Sequence, residues 1–279
     1  MTQKAFIIRL CAVMLLGLVA AGVVYAFESQ RPYVLTSEIE AKIQEKNASS
    51  TSGAMRIPIL VYHSIQPHQA GESLMKKRFD ISPETLEEQL RYLKEHGYTT
   101  ITLEALAEDI RSGTTSPVAK PVVLTFDDGW QDHYTKAFPL LEKYHDTATF
   151  YVYTNPIGKD PRFLTWSEIQ EMSAAGMTIG SHTLSHPLLS TLTPAQLQSE
   201  VVNSKKILET HLGKPVVDFA SPFGYSTKTL EQLLAQAGYT TGRTGYKGNY
   251  HSKNDLLRLS SYYTPNSTSD FVWVMRYAP

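Results

Sequence analysis

Cysteine is almost absent: Cys11 is the only one in 279 residues, and it falls in the N-terminal apolar stretch. A disulfide framework or a thiolate metal site is therefore closed to the folded part. Charge of one sign is lacking too. Lys and Arg number 26 against 27 Asp and Glu, a formal net charge of −1, and no basic run occurs. A nucleic-acid binder would show a basic excess, so no nucleic-acid partner is expected. No internal repeat of fixed period is visible, and no glycine-rich phosphate loop follows the first apolar strand. What is present is 42% hydrophobic residues, enough to build one large domain or two small ones.

The N-terminus is polarised. Lys4 and Arg9 precede an uncharged apolar run over residues 10–27, and polar sequence begins at Glu28. A basic flank, an apolar core and small residues around Val24-Tyr25-Ala26 describe a secretory signal. At 18 residues the run is also just long enough to span a bilayer, which favours an uncleaved anchor. Residues 1–27 are thus expected to be a signal peptide or membrane anchor, with membrane contact only through residues 5–27. An extracytoplasmic protein, anchored or secreted, follows. Residues 28–54, ending in NASSTSGA, read as a flexible polar tether, and residues 55–279 as the folded domain.

Within that domain, helix punctuation recurs. Ser82-Pro83, Thr165 with Glu168, Thr193-Pro194 with Gln196, and Thr227 each open an apolar-periodic segment, and Gly97, Gly176, Gly213 and Gly238 close them. Strands are predicted at 58–62, 99–103, 121–126, 148–153, 177–181, 216–220 and 240–244. Short apolar strands alternating with helices imply a mostly parallel sheet. About seven such units, without a phosphate loop, predict an α/β fold, a distorted (β/α) barrel rather than an open nucleotide-binding sheet.

Unusual polar residues stand just after the predicted strands. His63 follows PILVY, Asp127 and Asp128 follow PVVLTF, His182 follows MTIGS, and Pro222-Phe223-Gly224 follows VVDFA. All are C-terminal strand ends, the face on which parallel barrels build active sites. Two ionised, crowded carboxylates repel, so Asp127 and Asp128 call for a cation or a shared proton. By itself the Asp-Asp-Gly sequence is equally a plain turn. His182 and His186, at i and i+4, suit chelation of one metal on a helix-like turn in a loop that Pro187 ends. Alone, such a pair is more often two surface histidines; beside the acidic pair it points to a metal. Two histidines and one carboxylate, Asp128, leave coordination positions open for hydrolysis, with Asp127 as the base. Trp130 borders the expected groove. Trp166, at a helix start, is a core or staple residue before it is a sugar platform, and Asp132 and His133 are expected on a solvated helix face.

TFDDG, the His-Thr-x-x-His segment after Ser181 and the Pro-Phe-Gly turn resemble the signature of the NodB-homology polysaccharide deacetylases (carbohydrate esterase family four), over roughly residues 55–264. The resemblance implies hydrolysis of N-acetyl groups on N-acetylglucosamine units of a polysaccharide. It assigns Asp127 as base, Asp128, His182 and His186 as ligands of a divalent metal, usually Zn2+, and Phe223 an oxyanion-binding backbone N–H with its ring lining the groove. The chain departs from the family pattern twice. Ala220 stands where many members carry a base-orienting arginine, and Leu256-Leu257-Arg258-Leu259-Ser260 lacks the late histidine that acts as general acid; His251 lies five residues upstream. The Ala220 variant and Val61-Tyr62-His63-Ser64 resemble the biofilm poly-N-acetylglucosamine deacetylase branch, with His63 as a substrate contact or a supporting residue, or else a structural histidine. Peptidoglycan is the other expected substrate. The two departures also leave open a non-catalytic, surface-tethered glycan-binding protein with a retained metal site, or a deacetylase of another acylated carbohydrate.

Overall fold

Continuous apolar runs, rather than alternating ones, mark strands covered on both faces. In the computed structural model, which describes residues 54–277 apart from 70, 74–75, 77–78 and 114–116, these runs form the central sheet. The predicted anchor or signal at 1–27 and all but the last residue of the tether lie outside the described residues. Among the described residues no helix is long and apolar enough to cross a membrane.

The strands are β1 (Met55–Arg56), β2 (Ile59–Tyr62), β3 (Thr99–Thr100), β4 (Pro121–Phe126), β5 (Thr149–Val152), β6 (Thr178–Ser181), β7 (Asp218–Ala220), β8 (Thr241–Arg243), β9 (Tyr250–His251) and β10 (Tyr262–Tyr263). The helices are α1 (Pro83–Glu95), α2 (Leu103–Ser112), α3 (Phe138–Tyr144), α4 (Trp166–Ala174), α5 (Pro194–Leu212), α6 (Lys228–Gln236) and α7 (Thr268–Tyr277). Seven parallel strands run in the order β10-β2-β4-β5-β6-β7-β8 and curl into a distorted barrel. The segment 256–261 spans the remaining gap. Gly242 N donates to Leu256 O and Thr244 N to Leu259 O, and the chain then enters β10 beside β2.

Local chemistry sets the helix ends. Ser82, Thr165, Thr193 and Thr227 each cap a helix through a side-chain oxygen, and Thr165–Glu168 and Thr193–Gln196 are reciprocal capping boxes. Leu86, Leu90 and Leu93 of α1 are buried in the core, each contributing on the order of 1.5–3 kcal/mol. Tyr62, Phe126 and Phe150, in register across β2, β4 and β5, stack with centroids 4.9 and 4.8 Å apart and pave the core below the C-terminal ends.

One predicted strand is corrected. Only Thr99–Thr100 of the 99–103 run pairs, at the start of β4, because Thr102 caps α2 and Leu103 is already helical. Its place in the seven-strand path is taken by β10, which is two residues long and carries no apolar run to announce it.

Candidate active site and metal centre

The C-terminal ends of β2, β4, β6 and β7 deliver the polar residues to one pocket of about 470 Å³, lined by His63, Asp127, Asp128, His182, His186 and Phe223, with Arg243 of β8 also in its lining. Asp127 follows β4 directly, and its N–H donates to Tyr62 O at 2.9 Å, the last rung of the β2–β4 ladder. The chain then turns through left-handed backbone at Asp128 (φ 80°) and Gly129 (φ 77°). A Cβ at Gly129 would lie 2.8 Å from Val152 Cγ1, so both backbone and space require glycine there.

Asp128, His182 and His186 present one oxygen and two nitrogens, all within 4.8 Å of one another. His182 Nε2 is 3.7 Å and His186 Nε2 3.5 Å from Asp128 Oδ1. Ligands about 2 Å from a common zinc ion would be spaced roughly this way, and the imidazole–carboxylate set matches borderline divalent metals. The ring orientations are already set. His182 Nδ1–H donates to Ala220 O at 2.7 Å, which leaves the Nε2 lone pair facing the pocket. Trp130 Nε1–H donates to Asp128 Oδ2 at 3.0 Å, so Oδ1 is the oxygen turned to the histidines. The residues therefore fit a divalent cation.

The His182–His186 loop is not the predicted helix-like turn. Thr183 (φ 74°) and His186 (φ 54°) are left-handed, and His186 N–H donates to Thr183 Oγ1 at 3.0 Å. Between the histidines the loop is strapped to α5: Glu200 accepts from Leu184 N, Ser185 N and Ser185 Oγ at 2.8, 3.0 and 2.7 Å. Sidedness comes from this strap rather than from helical periodicity. Phe223 shares the strain, with φ 56° inside the Pro222–Gly224 turn; its ring is 67% exposed and meets His186 edge-on at 4.8 Å.

Asp127 is 3% exposed, and its Oδ2 accepts from Arg243 Nη2. Oδ1 is buried without a hydrogen-bond partner and is the remaining acceptor of a carboxylate that lines the pocket. Burial pushes the Asp127 carboxyl up, but Arg243, with His182 and His63, more than offsets it and holds the group below the usual carboxylate range. Asp128 goes the other way: burial, then the charge of Asp127, raise it to about 7. His182 is lowered to about 3 and His63 to about 4, burial being the main cause in each. Both histidines are therefore neutral near pH 7. His63 Nε2 lies 3.8 Å from Asp127 Oδ2, and its ring packs between Phe79 and Tyr263.

Several expectations change. Asp132 and His133 are buried rather than solvated, because the segment after Trp130 turns inward as a π-helical stretch (His133–Ala137). Asp132 Oδ2 accepts from Ser64 Oγ and Gln66 Nε2, and His133 Nε2–H donates to His63 O, so the pair ties this turn to the segment after β2. Trp166 stacks on His211 at 3.7 Å and is structural. His251 is buried in β9, donating from Nε2 to Ile57 O, outside the pocket. Arg243 and Glu200 escaped sequence reading. A signal for Arg243 existed, since an arginine within a predicted buried parallel strand demands an anionic partner.

The Polysaccharide deacetylase family model matches residues 114–242. YxkH of Bacillus subtilis (strain 168), a polysaccharide deacetylase by assignment, is 33% identical over 225 residues, 79% of this chain and 76% of its own. The chain belongs to the polysaccharide deacetylase family. Its enzyme class is accordingly that of the polysaccharide N-deacetylases. The Streptococcus pyogenes deacetylase PplD, solved in complex with acetate, superposes on this deacetylase with a TM-score of 0.74 at 29% identity, covering 81% of this chain and all of that one. The poly-beta-1,6-N-acetyl-D-glucosamine N-deacetylase of Escherichia coli (strain K12) is 30% identical over 138 residues, 44% of this chain. The deacetylase covers only 20% of that longer protein.

Proposed function

We propose that the protein is a metal-dependent hydrolase that removes N-acetyl groups from N-acetylglucosamine units of an extracellular or cell-wall polysaccharide. The observation that carries this reading is the pairing, in one pocket, of the Asp128–His182–His186 cluster with a neighbouring carboxylate, Asp127, that has one free oxygen. Poly-β-1,6-N-acetylglucosamine is the favoured polymer and peptidoglycan the second. The E. coli relative's substrate and the Val61-Tyr62-His63-Ser64 segment support the first.

Asp128, His182 and His186 would hold a divalent ion, most simply Zn2+, which would supply Lewis acidity to activate water and the acetamide carbonyl. Asp127 Oδ1 accepts the proton of the attacking water as the new C–O bond forms. Arg243 holds Oδ2, so only Oδ1 is presented. The Phe223 backbone N–H faces the developing oxyanion, and its exposed ring borders the sugar. When the C–N bond breaks, the proton on Asp127 passes to the leaving amine; Arg243 keeps that carboxyl acidic enough to release it. The departure noted at Ala220 is thereby met from another strand. Its carbonyl orients His182, while the arginine beside the base comes from β8. Such polymers lie outside the cytoplasm, in keeping with the apolar run at 10–27 as an export signal or anchor.

Acetate release from defined β-1,6- and β-1,4-linked N-acetylglucosamine oligomers tests this directly. Turnover that is abolished by Asp127→Asn and by chelation, and restored by zinc, is expected. A metal-loaded sample that released no acetate from either series would overturn the reading.

A further inference from the structure

We propose that a second groove, which shares Tyr263 with the catalytic pocket, binds another sugar unit of the same polymer chain. This rests on the deacetylase reading above and adds a subsite to it. The groove encloses about 320 Å³ against Tyr262, Tyr263, Asp270 and Trp273, with Lys247 on its edge. Tyr263 is also part of the catalytic pocket wall, where its ring lies 5.5 Å from that of His63. Tyr263 thus lines both cavities and is the residue they share, which makes the groove the neighbouring site for the next unit of a bound polymer.

Exposed aromatic surface lies at both cavities. Among the described residues the large hydrophobic side chains left exposed are Leu188, Phe223, Tyr246 and Trp273. Phe223 lines the catalytic pocket, and Leu188 follows the predicted ligand His186 by two positions. Trp273 lines the second groove, and Tyr246 precedes Lys247. The packing of α7 does not need Trp273. Phe271, Val274 and Met275, at i, i+3 and i+4, form the buried face of that helix, and Trp273 projects away from it at 40% exposure. An indole left in water beside a cavity is an unspent apolar face. A pyranose presents a C–H face to an aromatic ring and hydroxyl or amide groups at its edge. Asp270 and Lys247 offer an acceptor and a donor for that edge. Tyr263, Trp273 and this polar pair make a saccharide the matching occupant.

The test is the chain-length dependence of acetate release by the full, metal-loaded protein, from a dimer to a hexamer of N-acetylglucosamine. The wild type should show kcat/KM rising with length. Trp273→Ala should lower kcat/KM for the hexamer about tenfold, chiefly through KM, and bring the hexamer-to-dimer ratio close to one. Trp273→Phe should restore most of the ratio. Should Trp273→Ala fail to fold, Lys247→Ala with Asp270→Ala reads the same ratio on an intact helix core. A wild type that turns over all lengths equally, or variants that keep the full ratio, would overturn the subsite while leaving the deacetylase reading intact. Absence of acetate from every length would instead overturn the function on which the subsite depends.

Discussion

Arg243, near the end of the chain's last long β/α unit, donates a hydrogen bond to Oδ2 of Asp127, 116 positions earlier in sequence, and both side chains are buried. The contact does two things at once. It opposes the rise in pKa that burial imposes on the carboxyl, and it leaves a single oxygen of Asp127 free.

Removing that cation should therefore move a pH profile as well as a rate. In Arg243→Gln the burial of Asp127 loses its largest opposing charge, so its pKa rises and the base is protonated at higher pH. The acid limb of kcat/KM shifts upward in pH, and the plateau falls by about 10²–10³. Arg243→Lys should keep more of the acid limb than Arg243→Gln does. Identical pH profiles for wild type and Arg243→Gln would deny the electrostatic role.

Glu200 reaches the pocket only through the loop it straps. Glu200→Ala should weaken zinc binding about 10–100-fold without changing the helical content, because His186 loses its fixed approach. Titration calorimetry with zinc on the chelator-stripped protein measures this, and an unchanged affinity would show that the left-handed turn holds itself.

Metal binding should be linked to protons through Asp128. Burial and Asp127 raise its pKa to about 7, while His182, lowered to about 3, is already neutral. Below pH 7 a cation must displace the Asp128 proton, so zinc affinity falls as pH drops from about 7 toward 5, and loading releases up to one proton there. Calorimetry in buffers of different ionisation enthalpy counts that proton. Release that stayed at zero across this window would place Asp128 in its charged form beforehand.

His251 offers a stability experiment remote from the pocket. Burial lowers its pKa to about 4, its Nε2–H already serves Ile57 O, and Nδ1 has no partner. The unfolded chain takes up a proton near pH 6.5 and the folded protein does not. Its contribution is thus fully present above pH 6.5, falls as pH drops, and levels off below about 4. The loss is on the order of 3 kcal/mol. His251→Gln should flatten that slope in denaturant unfolding relative to wild type; parallel slopes would rule the histidine out as its source.

Much of the barrel is legible because its strands are short apolar runs between capped helices. Thr165–Glu168 and Thr193–Gln196 form the boxes their spacing announces. The 99–103 run misled because Thr102 serves as a helix cap, a competing use of a β-favouring residue. Tyr262–Tyr263 was missed because a two-residue strand has no periodicity to detect; it exists only because the edge of β2 is there to pair with.

The sequence alone determined that Asp127, Asp128, His182 and the Pro222-Phe223-Gly224 turn would sit at C-terminal strand ends, since each follows an apolar run and the connections are parallel. It also determined the donor chemistry, two imidazoles and a carboxylate with a second carboxylate beside them. Only the tertiary structure decided which groups hold those donors in place. Arg243 on Asp127, the Ala220 carbonyl on His182, Trp130 on Asp128 and Glu200 on the histidine loop are mostly contacts between distant parts of the chain. Such contacts depend on barrel curvature and strand register, which no local pattern encodes. For the same reason Asp132 and His133, polar and adjacent to a helix start, proved buried: the turn that takes them inward is set by what lies across the barrel.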